Sequence, residues 1–243
     1  MTPLRKSAVV LLLLFFSFSL FGCAKEAGDA KKEAGKANEA QQAEIKELDK
    51  GNTALQQLLP EKEGFHWVYD GFAEYSHTMD LKELKKEGSR IEYDIDGEIA
   101  DMSGGASARD FSLEVEYVIK DGVLTQQKNE ELMLDSISDN IQLLKAPLSK
   151  GARWQQTATS RDGKKLSLNC QITEITGENG LKEYTVIYDD QNSDYFERRK
   201  IREGTGVVSF EKRITNKGES FVAGYTLNEE ASGPRDPEAG KQD

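Results

Sequence analysis

From Trp67 onward, apolar residues take every second position: Trp67, Tyr69, Gly71, Ala73, Tyr75, His77, Met79 and Leu81. Asp70, Glu74, Ser76, Thr78 and Asp80 fill the places between, with Val68 and Phe72 the exceptions. Successive side chains of a β-strand point to opposite faces, so this period of two predicts one long strand with a dry face and a wet face. The same alternation returns in Ile91-Tyr93-Ile95, in Phe111 to Ile119, and in Leu166-Leu168-Cys170-Ile172. It appears again in Tyr184-Val186-Tyr188 and in Phe221-Ala223-Tyr225-Leu227. Between the runs stand Asp96-Gly97, Asp121-Gly122, Asp162-Gly163, Asn179-Gly180 and Lys217-Gly218. Such pairs readily take the positive φ of tight hairpins, and short connections make neighbouring strands antiparallel. Asp96-Gly97 also fits a bulge inside a strand. About ten or eleven strands follow, and the absence of strand–helix–strand spacing excludes a parallel nucleotide-binding sheet. The expected fold class is all-β: antiparallel meanders forming a curved sheet, sandwich or open barrel. Only Asn129 to Leu144 is ambiguous, with room for a short helix.

The pattern occurs in two halves. Pro60 precedes Gly64 by four residues and Trp67 by seven; Pro147, Gly151 and Trp154 repeat that spacing 87 residues later. A leucine pair lies upstream of each proline, Leu58-Leu59 and Leu143-Leu144, and Asp121-Gly122-Val123-Leu124 has a loose counterpart in Thr205-Gly206-Val207-Val208. Two related meanders are expected, about residues 58–140 and 143–227. In each, proline restrains the chain, glycine permits the turn, and tryptophan plugs the end of the first strand.

The N-terminus obeys different rules. Arg5 and Lys6 are the only charges before Cys23, and Ala8 to Phe21 is apolar apart from Ser17 and Ser19. At about 14 residues the run is too short for a helix crossing a ~30 Å hydrocarbon core, but it has the length of a signal-peptide apolar region. The segment ends Leu20-Phe21-Gly22-Cys23 and resembles the lipobox of bacterial lipoproteins. The resemblance implies that residues 1–22 are a signal peptide cleaved between Gly22 and Cys23. It also implies that the Cys23 thiol carries diacylglycerol, leaving the mature chain at the extracytoplasmic face of the cell membrane. Two or three acyl chains hold a protein durably where one does not.

Residues 23–50 are rich in alanine, lysine and glutamate and nearly free of large apolar side chains, which predicts a polar tether of fluctuating helix. The folded domain is then 51–230, and the polar, proline-bearing tail 231–243 is expected to be disordered. Loss of residues 1–22 removes two cations and no acid, so the mature chain is two units more negative than the −11 of the full sequence. An excess of this sign repels nucleic acid and anionic headgroups.

A second resemblance rests on Pro147-Leu148-Ser149-Lys150-Gly151-Ala152-Arg153-Trp154 and on Gly204-Thr205-Gly206-Val207-Val208. These stretches are similar to envelope lipoproteins of unknown function in which a PLxxGxxW turn opens an antiparallel β domain and a GxGxV strand lies near its end. The likeness runs from about Leu58 to Leu227. It departs from that pattern in lacking a cysteine a few strands after the tryptophan, unless Cys170 is its shifted equivalent. It implies a fold and a location and carries no activity.

The sequence offers little for catalysis. His66 and His77 are the only histidines and Cys170 the only cysteine besides Cys23, so a His/Cys zinc site and a Ser/His/Asp set lack material. His77 and Cys170 fall on dry strand faces, His66 on the wetter one. Ala100 to Ala108 is glycine-rich but lacks the following helix that a phosphate cradle needs. Paired carboxylates read as solvated strand faces, and Phe196 to Arg202 as a basic patch balancing neighbouring acids. Tyr69, Tyr75, Tyr93, Tyr117, Tyr184, Tyr188 and Tyr225 occupy inward-type positions, where they either fill the interior or line a ligand cavity. The expectation is therefore a non-catalytic binding or envelope-interaction module, anchored by its lipid, without catalytic residues, metal or cofactor. Its partner is an unidentified protein. The alternatives are a carrier or chaperone for a lipophilic ligand and an enzyme acting on an extracellular polymer.

Overall fold

A computed structural model describes residues 27–72, 75–133, 138–216 and 219–235. The expected signal peptide, its expected cleavage site at Gly22–Cys23, the expected lipid attachment at Cys23 and the Lys217-Gly218 pair lie outside the described residues. Two compact units divide the chain, Met1–Ala43 and Glu44–Asp243. Residues 27–43 of the first are helical.

In the second unit the alternating runs become one antiparallel sheet of thirteen strands. The strands of the first half are β1 (Phe65–Gly71), β2 (His77–Glu87), β3 (Arg90–Ile99), β4 (Ser112–Lys120), β5 (Val123–Asn129) and β6 (Asn140–Lys145). Those of the second are β7 (Arg153–Thr159), β8 (Lys165–Glu178), β9 (Leu181–Asp190), β10 (Phe196–Arg202), β11 (Gly206–Asn216) and β12 (Glu219–Leu227). Each half is a meander, and the two join where β1 pairs with β12, Tyr69 opposite Leu227 and Gly71 opposite Tyr225. The first Pro–Gly–Trp motif opens β1 and the second opens β7, with Gly64 at φ +80° and Gly151 at φ +87°. Asp121-Gly122 and Asn179-Gly180 each place two successive residues at positive φ, the conformation of two-residue hairpin turns.

Curvature brings the end strands β6 and β7 together. The seam is closed by side chains: Gln156 binds the main chain of Gln142, and the Tyr188 hydroxyl donates to Leu143 O at 2.6 Å. The result is a barrel-like sheet whose interior holds one continuous core, from Trp67, Tyr93 and Ile119 to Tyr188, Phe210 and Val186.

Several expectations change. Trp67 to Leu81 is two strands, β1 ending at Gly71 and β2 beginning at His77, and beside the break Ser76 Oγ donates to Gly71 O at 2.7 Å and accepts from Gly71 N at 3.0 Å. Asp96-Gly97 lies inside β3, and the irregularity sits on β2, between Leu81 and Glu83. A Cβ on Gly97 would come within 2.3 Å of Thr78 O, so close strand approach is what needs the glycine. The described part of 129–144 contains no helix; it ends in β6.

The tether boundary also moves. Helix α1 spans Ala27–Gln56, continuing past Lys50, and within the second unit its end enters the core through Leu55, with Leu58 and Leu59 just beyond. The last carbonyls of a helix have no partner within it. Here Gln57 O accepts from Gly204 N at 2.8 Å and Leu58 O from Gly206 N at 2.7 Å. The tail is likewise ordered up to Arg235: β13 (Gly233–Pro234) pairs with β1, and Arg235 N donates to Gly64 O at 2.9 Å.

Candidate functional site

All seven inward-type tyrosines are buried, Tyr69, Tyr75, Tyr93, Tyr117, Tyr184, Tyr188 and Tyr225, as is Tyr195. They fill the barrel together with a polar cluster. Glu197 and Arg199 stand two apart on β10 and therefore share its inner face, where both are almost wholly buried. Arg199 Nε donates to Glu197 Oε1 at 2.8 Å, and its Nη1 crosses the barrel to Gln126 Oε1 on β5 at 2.7 Å. The Tyr195 hydroxyl donates to the other Glu197 oxygen. The guanidinium lies over Phe210, 4.9 Å from the ring centroid, and 5.9 Å from that of Tyr188. A buried charge is tolerated when paired and hydrogen-bonded, and a ring face adds further attraction.

Aromatic contacts continue from there. Phe210 stacks on Tyr225 at 5.2 Å, Tyr225 meets Tyr69 edge-on at 5.0 Å, and His77 stacks on Tyr69 at 4.5 Å. His77 Nδ1 lies 2.8 Å from Tyr75 O, and Tyr69 OH donates to Val207 O at 2.7 Å. Burial holds the Tyr69 and Tyr188 phenols well above their usual pKa and pushes Tyr93 up to about 12. The space left among Tyr69, Tyr117, Gln126, Lys128, Met133 and Tyr225 is about 10 Å³, room for roughly one water molecule. Among the described residues, this space is too small for a lipid.

Above this space Glu130 takes its place in a second ionic knot. Its carboxylate accepts from the main-chain N–H groups of Leu132 and Met133 at 2.6 and 2.5 Å and meets Lys128 Nζ at 3.4 Å. Arg161 joins it from the β7–β8 turn and donates to Met133 O at 2.7 Å. These bonds hold Met133, which is buried and borders that space.

Cys170 is buried in the core, and burial pushes its thiol up to about 12, so it has no thiolate character. His66, expected on the wet face, is buried with Nδ1 2.8 Å from Asp80 Oδ1. The added strand β13 pairs beside it, placing Gly233 opposite His66. The glycine-rich loop is no anion cradle, because its own Asp101 occupies the donors: that carboxylate accepts from Ser103 N, Ser103 Oγ and Gly105 N. These bonds hold the Asp101 carboxyl below its usual pKa. The basic run of β10 resolves into the inward Arg199 and outward cations matched to acids: Arg198 to Glu211, Lys200 to Glu183, Arg202 to Glu183 and Glu229.

The two motifs that stood out in the sequence meet each other. Trp67 Nε1 donates to Thr205 O at 2.7 Å, inside the same Gly204–Gly206 turn that caps α1. Trp154 packs edge-on to Tyr188 at 6.4 Å, and its Nε1 has no acceptor among the described residues. Pro60 is buried and Pro147 exposed.

Outside the barrel, a depression of about 370 Å³ on β3–β5 carries Asp94, Asp96, Glu114 and Glu116, with Asp94 opposite Glu116 and Asp96 opposite Glu114. Lys85 lies 2.6 Å from Asp94, and Arg90 3.7 Å from Glu116. A groove of about 440 Å³ along the end of α1 has an apolar floor of Leu48, Ala54, Leu148 and Tyr184, and a rim where Lys50 and Lys145 are balanced by Glu44, Glu47 and Asp121. Among the described residues no cluster of His, Cys, Asp and Glu could hold a metal ion, and no helix is long and apolar enough to cross a membrane.

No family model matches the chain, and no curated protein matches its sequence. Among solved structures it is similar to a provisionally assigned exported protein with a YmcC-like fold from Bacteroides fragilis, at 13% identity and TM-score 0.41. That likeness covers 70% of this chain and 96% of the other. It is also similar to a provisionally assigned lipoprotein from Parabacteroides distasonis, at 12% identity and TM-score 0.38, covering 70% and 95%. Neither likeness carries a function over to this chain.

Proposed function

We propose that this chain is a membrane-anchored extracytoplasmic lipoprotein whose β domain is a non-catalytic interaction module. The anchoring half rests on the segment Arg5 to Cys23, with its two cations, short apolar run and Gly22-Cys23 junction. The other half rests on the filled interior. Among the described residues the space between the aromatic core and Met133 is about 10 Å³, enough for roughly one water molecule, which favours recognition at the outer surface. That observation also weighs against the carrier reading, which needs a hollow barrel. The polymer-cleaving reading needs one carboxyl shielded in apolar surroundings to act as an acid, whereas the carboxylates of β3 and β4 face outward beside Lys85 and Arg90.

The test is metabolic labelling with a clickable fatty acid in a bacterial host, comparing the intact chain with Cys23→Ser. The intact chain takes up label and sediments with membranes; Cys23→Ser does neither. An unlabelled intact chain would falsify the anchoring. For the domain itself, release of a defined product from envelope polymers, abolished by one point substitution, would overturn the non-catalytic reading.

A further inference from the structure

Strand β12 loses a neighbour halfway along. Tyr225, Thr226 and Leu227 pair with β1, which stops at Gly71; Ser220–Gly224 pair with β11 alone. Among the described residues, nothing else accepts from or donates to the outward main-chain groups of these five. On the other side, the β10–β11 pairing ends at Glu197 opposite Lys212, so residues 213–216 of β11 and 219–224 of β12 pair only with each other. The large apolar residues of that β12 stretch are in water on both faces: Phe221 is 53% exposed and Val222 63%. Exposed edges are ordinarily blunted by charge or proline. Ser220-Phe221-Val222-Ala223-Gly224 has neither.

Besides water, another extended chain matches the spacing of such a row of N–H and C=O groups. We propose that the occupant is a second copy of this chain, pairing β12 with β12 antiparallel about a two-fold axis at Val222. In that register Ser220 faces Gly224 of the copy, Phe221 faces Ala223, and Val222 faces Val222. All five open residues are used, and the added ladder ends where β1 takes over at Tyr225. Each large side chain off the axis meets a small one, and no like charges oppose. An isologous contact closes on itself, giving a dimer and not a fibre. A contact built on five residues per copy is small beside the roughly 1,200 Å² of a stable interface. The pairing is therefore weak in free solution and depends on confinement at a membrane, which raises effective concentration. On this point the inference rests on the anchored reading.

The experiment uses the mature lipidated chain, purified and reconstituted in phosphatidylethanolamine vesicles. Val222→Cys is treated with a short bis-maleimide, with Lys200→Cys, on an outward position of β10, as the control. Cys170 is buried and silent. The expected result is a covalent dimer several-fold more abundant with Val222→Cys, reduced to the control level when Phe221→Lys is added. Because Phe221 is exposed, the melting temperature stays unchanged, which separates lost pairing from lost folding. A Val222→Cys yield equal to the control, or one indifferent to Phe221→Lys, overturns the proposal. So does cross-linking in whole cells to a different protein with no self-dimer. Lipid is read on the same samples by mass: a chain that carries lipid yet gives no dimer overturns the dimer alone, and a chain without lipid overturns the anchoring.

Discussion

The carboxamide of Gln156 makes both main-chain hydrogen bonds to Gln142 that a neighbouring strand would make. Gln142 N donates to Gln156 Oε1 at 2.8 Å, and Gln156 Nε2 donates to Gln142 O at 3.0 Å. A side chain on β7 thus stands in for backbone on β6 and closes the barrel where the ladder does not. Gln156→Leu keeps the size and removes both bonds, leaving buried main-chain groups unpaired at about 1–3 kcal/mol. Urea unfolding is expected to show that loss, together with faster hydrogen exchange along Asn140–Lys145. A variant as stable as the parent would mean that water replaces the carboxamide.

Arg199 and Glu197 form a pair whose halves depend on each other. Removing one member of a buried ion pair strands the other charge, at about 3–5 kcal/mol. Arg199→Met is expected to be strongly destabilised, and Glu197→Gln in the same chain to recover much of the loss. A double-mutant cycle on unfolding free energies reads the coupling, which vanishes if the two side chains act independently.

Alkaline pH attacks the core through groups that fold neutral. Cys170 is pushed up to about 12 and the Tyr69 and Tyr188 phenols well above their usual range, in each case chiefly by burial. Their folded pKa values exceed the unfolded ones, so the stability they contribute is full below the unfolded values, about 8.5 for thiol and 10 for phenol, and falls as pH rises beyond them. Unfolding above that pH is expected to coincide with cooperative appearance of tyrosinate absorbance. Gradual, non-cooperative titration of all eight tyrosines would contradict it.

The end of α1 is expected to behave as part of the barrel. Asn52 Oδ1 accepts from Gly122 N at 2.7 Å and its Nδ2 donates to Ser89 O at 3.0 Å, joining two turns at one end of the sheet. Asn52→Ala loses both, at about 1–3 kcal/mol. Deleting the chain through Ala43 leaves the melting temperature unchanged, whereas deletion through Leu59 removes three core leucines and prevents folding. Calorimetry of the two truncations distinguishes a helix that completes the core from a passive spacer.

How much of this was legible beforehand depends on the range of the interaction. Alternation from Phe111 to Ile119, or from Leu166 to Ile172, identifies strands and their buried faces, because a period of two is a property of one strand. Asp121-Gly122 and Asn179-Gly180 announced hairpins for the same local reason. The break at Phe72–Ser76 kept the alternation on both sides and so left no mark on the pattern. Glu197 and Arg199 were visible as same-face neighbours, yet inside a run of four cations they read as surface. Gln126, on a strand far away in sequence, is what makes the inner position tenable.

The sequence by itself determined an antiparallel β architecture, its two meanders, the buried tyrosines, and the residues on which the lipid-anchor proposal rests. Each of these is written in spacing or in a short local run. Tertiary structure alone decided that β6 and β7 meet, that Gln156 closes their seam, that the end of α1 enters the core beside Gly204 and Gly206, and that the tyrosines pack around Glu197 and Arg199. Those outcomes depend on curvature accumulated over twelve strands and on pairs separated by tens of residues, which no local pattern encodes.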